Sequence, residues 1–163
     1  MKQRNKIQLT QIGTIHSPFI EPKGTPIQSA AAKGVEGTVE IFEAYSEGLK
    51  DLDGFSHIIL LYYFHQVGES KLKVKPFMDD KPHGVFSTRA PNRPNPIGMS
   101  TVRLLKIEGN ILHVEGLDMI DGTPLLDLKP YVPGIDDREA DKIGWLQDNI
   151  ERLPDTNDDG RFV

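Results

Sequence analysis

The chain has 163 residues, with 19 Lys+Arg against 24 Asp+Glu, no Cys, and 37% hydrophobic residues, including a dense apolar cluster from Phe55 to Phe64. That length and patterning fit one compact domain able to bury roughly 70% of its unfolded surface and argue against disorder throughout. Lack of cysteine excludes disulfides, thiolate metal sites and cysteine nucleophiles, so any catalysis rests on oxygen, nitrogen or a cofactor.

From the N-terminus, alternation through Ile7, Leu9, Gly13 and Ile15, then at Val39 and Ile41, predicts short strands with one buried face. A short helix is expected around Ala44 to Lys50. Phe55 to His65 is rich in β-branched and aromatic residues; as a strand it would run roughly 36 Å, a length best accommodated in a curled barrel. KLKVKPF, with Leu72 and Val74 on one side and Lys71, Lys73 and Lys75 on the other, predicts a lysine-guarded edge strand. Pro91, Pro94 and Pro96 forbid a helix, so Ala90 to Gly98 is expected to be a stiff, extended loop.

Gly109-Asn110 between two apolar runs is a two-residue hairpin signal, and Leu125 to Tyr131 fits one more strand. Asp137 to Glu151 carries Ile143, Leu146 and Ile150 at helical spacing, predicting a C-terminal helix, and the residues from Pro154 onward are expected to form a disordered acidic tail. The expected fold is mostly β, a single small β-barrel with short helices and a C-terminal helix. Residues 1–135 would form the barrel domain and 136–163 the helix and tail.

Charge is unevenly placed. Residues 136–163 hold 4 Lys+Arg and 9 Asp+Glu, which accounts for the entire net charge of −5 and leaves the body neutral, with 15 of each sign. The longest uninterrupted apolar stretch, Ile58 to Phe64, has seven residues against the roughly 20 needed to span a bilayer, and MKQRNKIQLT lacks the apolar run of a signal peptide. A cytoplasmic protein with no membrane association is expected. The five histidines have no metal-ligand spacing, so no metal is expected. No G-x-G-x-x-G or G-x-x-x-x-G-K-[ST] motif occurs, which leaves a Rossmann nucleotide site or a phosphate loop without support.

Polar groups beyond the needs of a core gather at Pro26-Ile27-Gln28, at His65-Gln66, from Thr88-Arg89 through Gly98, and from Leu117 to Pro124. They suit a polar organic ligand carrying both a carboxylate and a cation. Ser17-Pro18-Phe19, Pro26-Ile27-Gln28, Gly54-Phe55-Ser56-His57, His65-Gln66, GVFSTRAPNRPNPIGMS (84–100) and LDMIDGTPLLDLKPYVP (117–133) resemble the TrmO family, also called YaeB-like or TsaA-like, over roughly residues 7–135.

That resemblance implies a non-Rossmann barrel that binds S-adenosylmethionine (SAM) and methylates N6 of threonylcarbamoyladenosine beside the anticodon of tRNA, as a homodimer with the cofactor near the subunit interface. It implies cofactor contacts at Pro26, Ile27, Gln28, His65, Gln66, Arg89, Met99, Asp118, Met119, Ile120 and Asp121, and leaves Arg93 to RNA or solvent. The acceptor nitrogen carries a proton that must be accepted during or after transfer. Asp118, Asp121 and Asp127 are the available carboxylates, with Lys129 and Tyr131 as positioning groups. Alternatives are a SAM-binding barrel without turnover, a methyltransferase for another RNA or small molecule, and a metal-dependent hydrolase.

Overall fold

A computed structural model describes residues 5–163. The basic N-terminal stretch read above falls partly on residues 1–4, outside the described residues. Eight strands form: β1 (Gly13–His16), β2 (Glu36–Ile41), β3 (His57–Tyr63), β4 (Lys73–Val74), β5 (His83–Gly84), β6 (Ile97–Glu108), β7 (Ile111–Glu115) and β8 (Thr123–Pro130). Six close into an antiparallel barrel in the order β1-β2-β7-β6-β3-β8, with β8 returning to β1. The pair β4-β5 forms a separate two-stranded sheet.

Alternation fills the barrel as strand geometry requires. Ile58, Leu60 and Tyr62 of β3 point inward with Val102 and Leu104 of β6, Leu112 and Val114 of β7, Val39 and Ile41 of β2, Ile15 of β1 and Leu125 of β8, all buried in one cluster. Glycine is needed where backbones or rings approach closely. A Cβ at Gly13 would sit 2.2 Å from the Glu40 carbonyl oxygen, and one at Gly98 would sit 2.3 Å from the Tyr62 ring. Closure removes the free edges that a six-stranded open sheet would expose.

Several expectations are corrected. Ile7 and Leu9 are exposed and precede β1, so the N-terminal alternation does not begin a strand. The long third strand stops at Tyr63, and its pairing to β8 slips between Leu61 and Tyr62, a bulge that bends the strand. The lysine-flanked segment supplies only the two residues of β4, paired with β5. The helix expected around Ala44 to Lys50 is a 3-10 helix, Glu43–Leu49.

The C-terminal helix is replaced by one short α-turn, Pro133–Asp136, and two 3-10 turns, Gly144–Leu146 and Ile150–Asp155. Gly144, in the middle of the expected helix, takes φ +58°, outside the helical region. Nor is the acidic tail free. Phe162 is buried with Val74, Val85 and Ala90 in a second apolar cluster, Phe77 meets its ring edge-on at 5.0 Å, and Asn157 bridges to Pro26. Phe162 supplies the burial that acidic composition alone does not suggest.

Among the described residues no helix is long and apolar enough to cross a membrane.

Candidate functional site

One end of the barrel opens into a cavity of about 740 Å³, a size ordinary for a small-molecule site. Its floor is set by register. Tyr62 pairs with Gly98 and Leu60 with Ser100, so the last inward residue of β3 lies beside the first inward residues of β6. Ser100 is buried at a position where alternation calls for an apolar residue. Its hydroxyl donates to Asp118 Oδ1 at 2.6 Å and lies 3.0 Å from the Tyr62 hydroxyl. Gly98 makes this possible by leaving room for the Tyr62 ring.

Asp118 follows β7, held between buried Leu117 and Met119. It keeps a partial opening to the cavity but is otherwise enclosed by protein. Burial pushes its carboxyl up to about 6, opposed by the Ser100 hydrogen bond and the positive charge of Arg89. Burial, reinforced by the charge of Asp118, likewise raises the Tyr62 phenol, against the pull of Ser100 and Arg89. The result is a carboxylate that is costly to ionise in the free protein and is eased by any cation placed beside it.

Arg89 and Gln28 stand on two other loops, with Arg89 Nη1 donating to Gln28 Oε1 at 2.9 Å. The guanidinium keeps further donors, the geometry that grips a carboxylate. Arg93, left by the resemblance to RNA or solvent, is half-buried and borders the same cavity. Its Nη1 donates to the carbonyls of Thr88 (3.0 Å) and Ala90 (3.1 Å), clamping the backbone on either side of Arg89. The proline loop is further tied down where Phe64 N donates to Pro96 O and Asn92 Nδ2 donates to Glu69 O. His65 Nδ1 is buried and has no hydrogen-bond partner among the described residues. A buried ring nitrogen without a partner is costly, and a ligand polar group is the natural remedy.

Ten of the residues singled out as cofactor contacts line the cavity: Pro26, Ile27, Gln28, His65, Gln66, Arg89, Met99, Asp118, Met119 and Ile120. Asp121 does not. Its Oδ1 accepts from the Ser17 amide at 3.1 Å and lies 3.3 Å from His16 Nδ1, which makes it a turn carboxylate pinning the chain after β7 to β1. Lys129 and Tyr131 are also away from the cavity. Lys129 pairs with Asp127 at 2.8 Å, and the Tyr131 hydroxyl donates to Asp137. Asp121, Asp127, Lys129 and Tyr131 thus lie outside the lining of this cavity, each engaged in a local hydrogen bond or ion pair.

Two groups of lining residues escaped sequence reasoning. Tyr62, with Ser100 buried behind it and Asp118, is one; the polar break in the inward series Gly98, Ser100, Val102, Leu104 is the signal for it. The other is Trp145, Leu146, Ile150 and Leu153 of the C-terminal segment, which a helical reading treats as a packing face. Among the described residues, no three His, Asp or Glu side chains converge as a metal ion would require.

A closed antiparallel barrel with a nucleoside-sized, charge-bearing pocket at its rim defines a ligand-binding barrel distinct from the doubly wound sheets that usually bind nucleotides. Residues 14–137 match the tRNA-methyltransferase O N-terminal domain, and the chain belongs to the TrmO family. It is 60% identical over 151 residues to a probable S-adenosyl-L-methionine-binding protein of Pyrococcus abyssi, covering 93% of this chain and 82% of that one. A tRNA (adenine(37)-N6)-methyltransferase of Mus musculus is 39% identical, across 77% of this chain and 31% of the mouse protein. The crystal structure of TrmO from Pseudomonas aeruginosa superposes with a TM-score of 0.72 at 38% identity, covering 86% of this chain and 63% of that one. The chain thus spans somewhat less than two thirds of that solved chain.

Proposed function

We propose that this chain is a SAM-dependent tRNA methyltransferase acting on N6 of the adenosine beside the anticodon, with threonylcarbamoyladenosine as the nucleoside methylated. The observation that carries this reading is the convergence, in one cavity, of a buried carboxylate (Asp118), a guanidinium (Arg89), an amide (Gln28) and an unpartnered imidazole nitrogen (His65). The residues present fit the group: Asp118 offers charge to a cation, Arg89 offers a fork to an amino-acid carboxylate, and His65 Nδ1 awaits a polar partner.

When bound, SAM supplies a methyl group carried on a cationic sulfur. The chain's own task is alignment, since displacement at a methyl carbon gains most of its rate from positioning. Arg89, Gln28 and the Arg93-clamped loop fix one end of the pocket. Asp118, held by Ser100, fixes the other and stands as the proton acceptor for the substrate nitrogen, because its raised affinity for a proton suits it to that exchange near neutral pH. The homodimer and cytoplasmic location implied by the resemblance belong to the same proposal. The exposed apolar side chains of Tyr63, Ile97 and Met99 on neighbouring ends of β3 and β6, 38–52% exposed beside the cavity, support the pairing part of that proposal.

Incubation with labelled SAM and bulk tRNA, followed by nucleoside analysis, tests the proposal. Label is expected in the methylated threonylcarbamoyl nucleoside. Label in another nucleoside would replace the substrate. The second reading, a SAM-binding barrel without turnover, is favoured by the name of the Pyrococcus relative; SAM binding with no label in any RNA would decide for it.

A further inference from the structure

The segment after residue 143 lies beyond the matched family domain, yet it builds part of the pocket. Its attachments are specific. Trp145 Nε1 donates to Ser87 O at 2.8 Å, and the indole stacks on His83 at 4.8 Å. His83 in turn is held by Asp79 at 2.8 Å. Arg152 donates to Met78 O at 3.1 Å and Arg161 to Pro76 O at 2.9 Å. Asp158 exchanges backbone hydrogen bonds with Gly24 and Thr25, and Gly68 N donates to Phe162 O. One segment is thereby fastened to stretches 22–28, 65–68 and 76–89, the same stretches that carry Gln28, His65 and Arg89.

What the segment brings to the cavity is mainly apolar: Trp145, Leu146, Ile150, Leu153 and Phe162. Of the groups able to meet charge, Asp118, Arg89, Arg93 and His65 come from the barrel and its loops, and this segment adds the single carboxylate of Asp158. A ligand with charged and uncharged parts is served by both only if the uncharged part lies against this apolar wall, where burial from water favours it.

We propose that the stretch from Trp145 to Phe162 is a specificity-determining wall: it holds the uncharged nucleoside part of the ligand and straps together the three loops that carry the polar contacts. This rests on reading the pocket as a SAM site. It also divides the chain by task, with residues 1–135 as the scaffold of the polar site and residues 136–163 as its closing wall.

Calorimetry on the full chain with two probes, SAM and uncharged-sulfur S-adenosylhomocysteine, tests the wall. Replacing Trp145→Ala and Ile150→Ala together is expected to weaken both ligands alike, by about tenfold or more, because an apolar wall is blind to the sulfur's charge. Asp118→Asn is expected to weaken SAM selectively. Trp145→Phe keeps a ring against His83 while losing the bond to Ser87, and should recover most of the affinity for both probes. Parent-like affinity in the double variant, or loss confined to SAM, would overturn the wall.

The strap has a readout free of ligand. Amide hydrogen exchange in residues 22–28 and 76–87 is expected to quicken in Arg152→Ala and in the double variant; unchanged exchange in both would overturn the strap. If the parent bound neither probe, the SAM reading would fail, while exchange would still decide whether this segment holds the loops.

Discussion

Asp118 is under opposite demands in the free and the liganded protein. Its carboxyl is raised to about 6, so its contribution to stability is full below the ordinary carboxylate range and is lost as pH rises through about 6. Asp118→Asn keeps an oxygen able to accept from Ser100 and removes the buried charge. The variant is expected to be more stable than the parent at pH 8 by on the order of 2 kcal/mol, with the difference vanishing near pH 4; melting curves at the two pH values check this. Binding runs the other way. Affinity of the parent for a cationic ligand should fall as pH drops through about 6, whereas the Asn variant should bind weakly with little pH dependence in that window. A parent affinity that is flat from pH 5 to 8 would remove Asp118 from the cation's surroundings.

The two arginines of the proline loop separate by the same residue-scale reasoning. Arg89→Ala is expected to weaken SAM by roughly 1.5–3 kcal/mol with little change in melting temperature, since among the described residues its guanidinium bonds only Gln28. Arg93→Ala leaves two carbonyls without their donor, so it should lower the melting temperature and weaken SAM together. Selective loss of RNA affinity in Arg93→Ala would argue that the clamp is secondary. The sequence grouped Arg89 and Asp118 among its polar clusters, and both line the cavity, but it could not separate a clamping arginine from an exposed one. Both sit in the same proline-rich string, and the distinction lies in which carbonyls the loop turns inward.

At the scale of elements, the hairpin is the clearest success of pattern reading. Gly109 takes φ +62° at the turn, and β6 and β7 pair outward from Glu108 and Ile111. The structure adds that Asn110 Nδ2 donates to Ile41 O at 2.7 Å, fastening the hairpin tip to the end of β2. Asn110→Ala is expected to cost about 1 kcal/mol of stability and to leave SAM affinity intact; a change in affinity at unchanged melting temperature would show the tip coupled to the pocket. Gly98→Ala should behave oppositely. Its methyl would collide with the Tyr62 ring and displace Ser100 from Asp118, so SAM affinity and stability should both fall, the latter by about 1–3 kcal/mol. Strand alternation was legible because inward positions are apolar every second residue. The C-terminal turns were not, because Ile143, Leu146 and Ile150 satisfy helical spacing while the left-handed Gly144 between them forbids the helix.

Across the whole molecule, charge and the pocket meet in the same segment. The body is neutral and the surplus of acid lies in 136–163, where Asp141 and Asp148 are exposed. Because that segment is fastened over the cavity from Trp145 onward, its acidic surplus is expected to oppose the phosphates of a polynucleotide brought to the pocket mouth. Asp141→Asn with Asp148→Asn is therefore expected to raise tRNA affinity a few-fold at low salt. The gain should disappear as added salt shortens the screening length from about 30 Å at 0.01 M to about 3 Å at 1 M. Filter binding of parent and variant across that range checks the expectation. A gain that persists at high salt would mean that the substitutions reshape the wall itself, since screened charges cannot act over such distances. No gain at low salt would place the bound RNA on another face of the barrel, beyond the reach of the acidic segment.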